Sequence, residues 1–384
     1  VRIVHVNPFF FPRLGGLERR IYHLARLHAA RGHEVTVLCG DDGGTLPARE
    51  AMAGFEVVRL PSRRLPVKWD PPVQRTRGVE RALRDLAPDV VDFHYRWSPE
   101  VTKAVVRAGA DSGLPWVFTW HNQWGEGRGL LRPLSLLNDR RFRRRVAGAH
   151  RIVCVSDYIR RELEGKGFGP ARLVTVVNGA VRPAAGSPEW QPDDGRPAPA
   201  SPYAVGVGRL TPEKGVDLCV KALAAAVGQG ADLRLVLCGR GPLEGRLRRL
   251  ARRLGVADRL VLAGWTPEAT KWRLLDGATA YLHLARFESY GISVAEALVA
   301  GAPSVVADVG GVREVTGNAA LLVEDGDAEA AGAALARLAA DPQAREALRR
   351  KALARAPTLS WETAADAMER VYAEAAGTRR DSKR

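Results

Sequence analysis

Short runs of β-branched and aromatic residues alternate with amphipathic stretches along this sequence, and they do so in two separate series. In the first, residues 2–6, 35–39, 55–60, 90–93, 116–120, 151–156 and 173–177 read as strands, with helical patterns between several of them. The clearest helical pattern, 17–31, brings Ile21, Leu24, Ala25 and Leu27 near one face. In the second series, strand-like runs at 203–207, 233–238, 260–263, 280–284, 304–307 and 320–323 are separated by helical patterns at 215–227, 243–254, 292–300 and 328–340. A strand that returns to its sheet through a helix must run parallel to its neighbour, and the crossing helices cover both faces. The expected class is therefore α/β, with two Rossmann-like domains of parallel sheet. A chain of 384 residues is comfortable for two such cores.

The two series are separated by residues 183–202, with prolines at 183, 188, 192, 197, 199 and 202. Such a stretch is semi-extended and a poor helix former, and it reads as a linker. The domains are thus expected at 1–182 and 203–360. A last helical pattern covers 361–376, followed by a polar tail at 379–384. The sequence contains no internal repeat.

Composition removes several classes of function. No run of about 18 apolar residues is present, so no membrane-spanning helix is expected. The first residues lack the charged start and apolar stretch of a signal peptide, which predicts a cytoplasmic protein. Cys39, Cys154 and Cys238 lie in strand-like runs and Cys219 in a helical one, and none forms a CxxC pair. Packed, reduced thiols are expected rather than zinc or redox chemistry. The net charge of +15 favours anionic partners. Only 8 of the 58 basic residues are lysine, however, so a coding bias toward arginine explains much of the excess. No zinc-finger, RNP-like or helix-turn-helix pattern supports nucleic-acid binding. Two basic stretches, 140–145 and 246–253, suit either a solvated helix face or a peripheral contact with anionic lipid.

Three segments carry chemistry. Gly208-Arg209-Leu210-Thr211-Pro212-Glu213-Lys214-Gly215 follows the first strand of the second series and opens a helix. Helix-start amides and dipole favour an anion, and Arg209 and Lys214 suit a diphosphate. The plainer reading is a strand–loop–helix junction with solvated charges. Next, Glu288 and Glu296 are separated by seven residues, after the run at 280–284. Gly291 is expected to keep Glu288 on a loop while Glu296 lies in the following helix. The amides of Tyr290, Gly291 and Ile292 then face a phosphate or sugar hydroxyl. Two solvated glutamates would look the same in sequence. The third segment is Thr119-Trp120-His121-Asn122, at a strand end of the first domain, where a lone histidine is as readily structural as functional.

The succession of Gly208 to Gly215, Glu288-(seven residues)-Glu296 and Ala300-Gly301-Ala302-Pro303 resembles the donor domain of glycosyltransferase family 4. In the first half, Pro12-Arg13-Leu14-Gly15-Gly16-Leu17-Glu18 resembles that family's glycine loop. The resemblance implies the GT-B fold, with parallel sheets facing across a cleft and the helix at about 361–384 packing back on the first domain. It further implies a retaining transferase that moves a hexose-type sugar from a nucleoside diphosphate sugar, UDP- or GDP-linked, without bound metal or other cofactor. Acceptors in such a family are hydroxyls or amines of small molecules, natural products, glycans or lipids.

By the same resemblance, His121, Glu288, Arg209 and Lys214 are the catalytic group. Arg209 and Lys214 hold the diphosphate, Glu288 bonds the donor sugar, and His121 faces that sugar. The donor is expected to touch Gly15, Gly16, Gly208, Gly239, Ser289, Tyr290, Gly291, Ile292 and Glu296, with Glu296 on the ribose. Asn122 stands where many relatives have an aspartate, which speaks against a His–carboxylate general base and for a front-face mechanism. Glu18, His94, Tyr95, Trp97, Asn122 and Trp124 are the acceptor candidates, with core aromatics and a helix-start acid as their plainer readings. A sugar-nucleotide epimerase of the same fold and a non-catalytic nucleotide-sugar binder are the alternatives.

Overall fold

The structure is a computed structural model that describes residues 1–13, 15–41, 44–64, 74–94, 98–122, 124, 132–199 and 202–381. The chain forms two units. Val1–Asn178 and Trp361–Arg384 make the first, and Gly179–Ser360 the second.

The first unit is built on an eight-stranded sheet. Its strands are β1 (Arg2–Val6), β2 (Glu34–Gly40), β3 (Arg49–Met52), β4 (Phe55–Leu60), β7 (Val90–Phe93), β8 (Trp116–Trp120), β9 (Arg151–Cys154) and β10 (Leu173–Thr175), while β5 (Ser62–Arg64) and β6 (Gln74–Thr76) form a separate antiparallel pair. The order is β10-β9-β8-β7-β1-β2-β4-β3, parallel throughout except where β3 joins β4. β1, β7 and β8 sit at the centre, and nearly all their residues are buried, as continuous apolar runs require in a sheet covered on both faces. One face packs on the helix Gly16–Ala30, whose Ile21, Leu24 and Ala25 meet Trp361, Met368 and Tyr372 of the helix Trp361–Asp381 in one core.

The second unit holds six parallel strands, β11 (Tyr203–Val207), β12 (Arg234–Cys238), β13 (Leu260–Gly264), β14 (Ala280–His283), β15 (Ser304–Ala307) and β16 (Ala320–Val323). Their order, β13-β12-β11-β14-β15-β16, reverses between β11 and β14. A crevice opens at such a reversal beyond the carboxyl ends of the strands, because the connections leave to opposite sides. Leu218, Leu223, Leu235, Leu237, Leu282, Val305 and Leu335 anchor this unit's own core.

Several boundaries differ from expectation. The strand expected at 151–156 stops at Cys154, because Ser156 caps the helix Asp157–Gly165 by accepting from the Ile159 amide at 3.2 Å. The final helix continues to Asp381, through part of the expected polar tail. The proline-rich stretch is no free linker. Glu189 is buried, the Gln191 carbonyl accepts from the Ala269 amide, and Asp193 and Asp194 both accept from the Thr270 hydroxyl at 3.0 Å. Arg273 reaches Asp193 at 2.6 Å. These bonds strap the stretch onto the helix Glu268–Asp276 and make it part of the second unit.

Candidate active site

In the second unit, the loops leaving β11 and β14 meet at the crevice. After β11 the backbone passes Gly208 and Arg209, turns through Pro212–Lys214 and enters the helix Val216–Gly228. Gly215 turns the corner at φ +58, and a Cβ there would lie 1.7 Å from the Leu284 carbonyl. A Cβ on Gly239 would likewise lie 1.9 Å from the Gly208 carbonyl. Only glycine lets the ends of β11, β12 and β14 approach this closely.

The close approach puts Lys214 Nζ 2.6 Å from Glu288 Oε2, and His283 Nε2 lies 3.3 Å from the same oxygen. Burial pushes the Glu288 carboxyl up, but the Lys214 ammonium and the His283 contact outweigh it and hold it down at about 2. Glu288 is therefore a fixed negative charge. Its carbonyl accepts from the Gly311 amide at 2.9 Å, so the Gly310-Gly311 turn after β15 pins the loop. Arg209 lies on the exposed rim, with Glu213 at 3.6 Å.

Gly291 caps the helix Ile292–Val299 with φ +100 and keeps Glu288 outside the helix, as expected. Ser289 is half-buried and Tyr290 buried, and Ile292 opens the helix. Glu296 is buried one turn in, where its carboxylate accepts from Lys271 Nζ at 2.9 Å. Lys271 also pairs with buried Glu268 at 2.8 Å. Neither Lys271 nor Glu268 stands out in the sequence, because both come from another helix with no local spacing to link them to Glu296.

In the first unit, Gly15 caps the helix that begins at Gly16. Glu18 curls back toward this start, so that a Cβ on Gly15 would fall 2.4 Å from Glu18 Oε2. Burial raises its carboxyl, which its own backbone amide and Arg13 oppose. It lies in the first turn of the helix, where the dipole favours an acid.

His121 follows β8 and is half-buried, and its Nε2 lies 3.2 Å from His94 Nδ1. His94 is expected beside an acceptor, yet it is buried behind His121 and its Nε2 meets His5 Nδ1 at 3.2 Å. With both ring nitrogens engaged inside the protein, it reaches a substrate only through His121. Asp92 lies beneath the pair and accepts from Tyr372 at 2.5 Å and Thr119 at 2.9 Å. His5, Asp92 and His94 are also the group among the described residues close enough to share a metal ion. Both carboxylate oxygens of Asp92 take hydroxyl bonds, which tie the cluster into a hydrogen-bonded network.

Trp124 stacks on buried Trp120, with ring centroids 5.9 Å apart, and packs edge-on to Phe168. That is an aromatic core extending to the surface. Asn122 is half-buried, and its carbonyl accepts from the Trp120 indole at 2.5 Å. Tyr95 and Trp97 lie outside the described residues.

Both basic stretches are helical. Arg140, Arg141, Arg143, Arg144 and Arg145 are exposed around buried Phe142. In the helix Glu244–Arg253 the arginines are exposed while Leu247 and Ala251 face the core, and a groove of about 780 Å³ runs along Arg246, Arg249 and Arg253. Among the described residues, no helix is long and apolar enough to cross a membrane.

Residues 14–181 match the family model described as Glycosyltransferase Family 4, and residues 191–355 that described as Glycosyl transferases group 1. The chain is 28% identical over 385 residues to a GDP-mannose-dependent alpha-(1-6)-phosphatidylinositol dimannoside mannosyltransferase of Mycobacterium tuberculosis, covering 96% of this chain and 95% of the relative. It is 30% identical over 417 residues to a D-inositol 3-phosphate glycosyltransferase of Acidothermus cellulolyticus, covering 98% and 90%. Among solved structures, the sucrose-phosphate synthase of Thermosynechococcus elongatus superposes with a TM-score of 0.76 at 19% identity, covering 97% of this chain and 98% of that one. That likeness shows the fold, GT-B.

Proposed function

Because the chain belongs to glycosyltransferase family 4, we propose that it moves a hexose-type sugar from a UDP- or GDP-sugar to an acceptor hydroxyl or amine, with retention of anomeric configuration and without a metal ion. The observation that carries the reading is the Lys214–Glu288 pair at the switch point, with Arg209 on its rim. A diphosphate entering the crevice draws Lys214 from Glu288 and places two cations on the leaving phosphates. Those fixed charges do the work of a divalent ion. Glu288, ionised throughout, then accepts from hydroxyls of the donor sugar and favours the positive charge that develops at the anomeric carbon. Glu296, held by Lys271, is assigned to the ribose hydroxyls.

In the step itself the bond from the anomeric carbon to the phosphate oxygen breaks, and the acceptor oxygen bonds the same carbon on the same face. The acceptor proton passes to the departing phosphate oxygen, which needs no separate protein base. Asn122 in place of an acid after His121 supports this route. We assign His121 to hydrogen bonding a substrate hydroxyl. Both relatives carry inositol in the names of their acceptors or products, so an inositol-bearing acceptor, free or in a lipid, is the first class to offer. For a lipid acceptor, the exposed arginines of 140–145 and 246–253 would rest on an anionic membrane surface.

Calorimetric titration with UDP, GDP and ADP tests the donor site, with the Arg209→Ala/Lys214→Ala double variant as control. Tight binding of one diphosphate, lost in the variant, supports the reading, and binding of none of them contradicts it. Proton NMR of the product reports retention, and unchanged turnover in EDTA reports metal independence. Release of altered donor with no acceptor present would favour an epimerase instead.

A further inference from the structure

The three histidines of the first unit form a continuous chain whose far end is sealed in the core. His5 Nδ1 meets His94 Nε2, and His94 Nδ1 meets His121 Nε2, each at 3.2 Å. The strand register builds this chain. His5 on β1 pairs with Asp92 on β7, which places them side by side, and the first two rings stack at 5.4 Å. The groups around them are Asp92, 3.7 Å from His5 Nδ1 and 3.5 Å from His94 Nε2, together with Tyr372, His28 and Arg20.

Each contact between neutral imidazoles holds one hydrogen, so the chain has a direction. If His5 Nδ1 donates, His94 accepts at Nε2 and donates from Nδ1, and His121 accepts at Nε2 and carries its own proton on Nδ1. If the direction reverses, every ring changes tautomer. The buried end of the chain favours the first. His5 Nε2 is fully buried and meets no protein partner. The reverse direction would put an N–H there with no protein group to receive it, whereas the forward direction leaves only a bare lone pair, the less costly orphan.

We propose that His5 and His94 are positioning residues that lock His121 as the neutral tautomer protonated on Nδ1. His121 then offers substrate a donor from that nitrogen and does not serve as a base. Burial keeps the inner rings uncharged. It drives the His5 imidazolium down to about 3, against the pull of Asp92, and holds His94 well below its ordinary value with Arg20 assisting. The catalytic consequence rests on the assignment of His121 to a substrate hydroxyl, while the tautomer itself does not.

The test uses the full chain labelled with nitrogen-15 histidine and long-range nitrogen–proton correlation spectra. The wild-type His121 is expected as a single neutral tautomer protonated on Nδ1. In His5→Phe, His94 Nε2 faces only the Asp92 carboxylate and takes up a proton there. The chain then reverses, and the His121 proton moves to Nε2 although residue 5 never touches it. Turnover should fall about tenfold, one misdirected hydrogen bond's worth of barrier, with donor KM unchanged. His5→Asn, which keeps an amide donor near the Nδ1 position, should restore both tautomer and turnover, and it serves if the phenylalanine variant does not fold. A wild-type His121 protonated on Nε2, or a tautomer indifferent to residue 5, overturns the lock. If His121→Ala leaves transfer intact while the tautomer still follows residue 5, the substrate assignment fails and the lock stands.

Discussion

Lys214 and Glu288 hold each other at 2.6 Å, and this makes the two substitutions asymmetric. Lys214→Ala removes a cation from the diphosphate. It should weaken nucleoside diphosphate binding by about 1.5–3 kcal/mol, the range of a hydrogen bond to a charged group. Glu288→Gln frees Lys214, so binding of the diphosphate should hold or tighten while turnover falls about a hundredfold, the scale of one lost electrostatic stabiliser. Calorimetry beside steady-state rates separates the two, and equal losses in both quantities for Glu288→Gln would remove the residue from its role. The same carboxyl gives a pH signature. Its folded value, about 2, lies below the ordinary 4.5, so it contributes stability that is complete above about 4.5 and lost as pH falls through 2. Denaturation midpoints measured at pH 7, 4 and 3 should fall more steeply for wild type than for Glu288→Gln. Parallel slopes would mean that the pair is not formed in solution.

At the scale of elements, the site depends on backbone crossings that tolerate no side chain. Gly215→Ala places a left-handed φ on an L residue, costing about 1–2 kcal/mol, and drives a Cβ to 1.7 Å from the Leu284 carbonyl. The end of β14 must then move, and with it the loop that carries Glu288. Stability and nucleoside diphosphate affinity should fall together in denaturation and titration; an unaffected affinity would detach the crossing from the site. The parallel strands were legible because their cores are continuous apolar runs, and Arg209, Lys214, Glu288 and Glu296 because each follows such a run. β3, by contrast, is the short polar segment Arg49–Met52 on the sheet edge, with its residues only partly buried or exposed, so no pattern marks it. Lys271 and Asp92 were invisible for a different reason. Their partners are set by helix packing and strand register, Lys271 against Glu296 and Asp92 against His5, and no spacing in the sequence records either.

Across the whole molecule, the last helix serves the unit that the chain begins with. Trp361, Met368, Val371 and Tyr372 lie in the core of the first unit with Ile3, Ile21 and Leu24. Tyr372 bonds Asp92 at 2.5 Å, the Ala365 carbonyl meets His28 Nε2 at 3.1 Å, and Arg31 pairs with Asp366 and Glu369. Four large side chains at about 1.5–3 kcal/mol each approach the entire net stability of a domain, about 5–15 kcal/mol. Ending the chain after Ser360 should therefore unfold the first unit, although the residues removed lie nearly two hundred positions from its sheet. The second unit shares none of these contacts. Its core runs through Leu218, Leu235, Leu282 and Leu335, and the four charged residues proposed for the donor, Arg209, Lys214, Glu288 and Glu296, come from within it. Scanning calorimetry of the truncated chain should lose the transition of the first unit and keep that of the second, and the nucleoside diphosphate should still bind, with transfer abolished. Retention of both transitions would show that the helix only covers the sheet. Loss of both would show that the second unit draws its stability from the first.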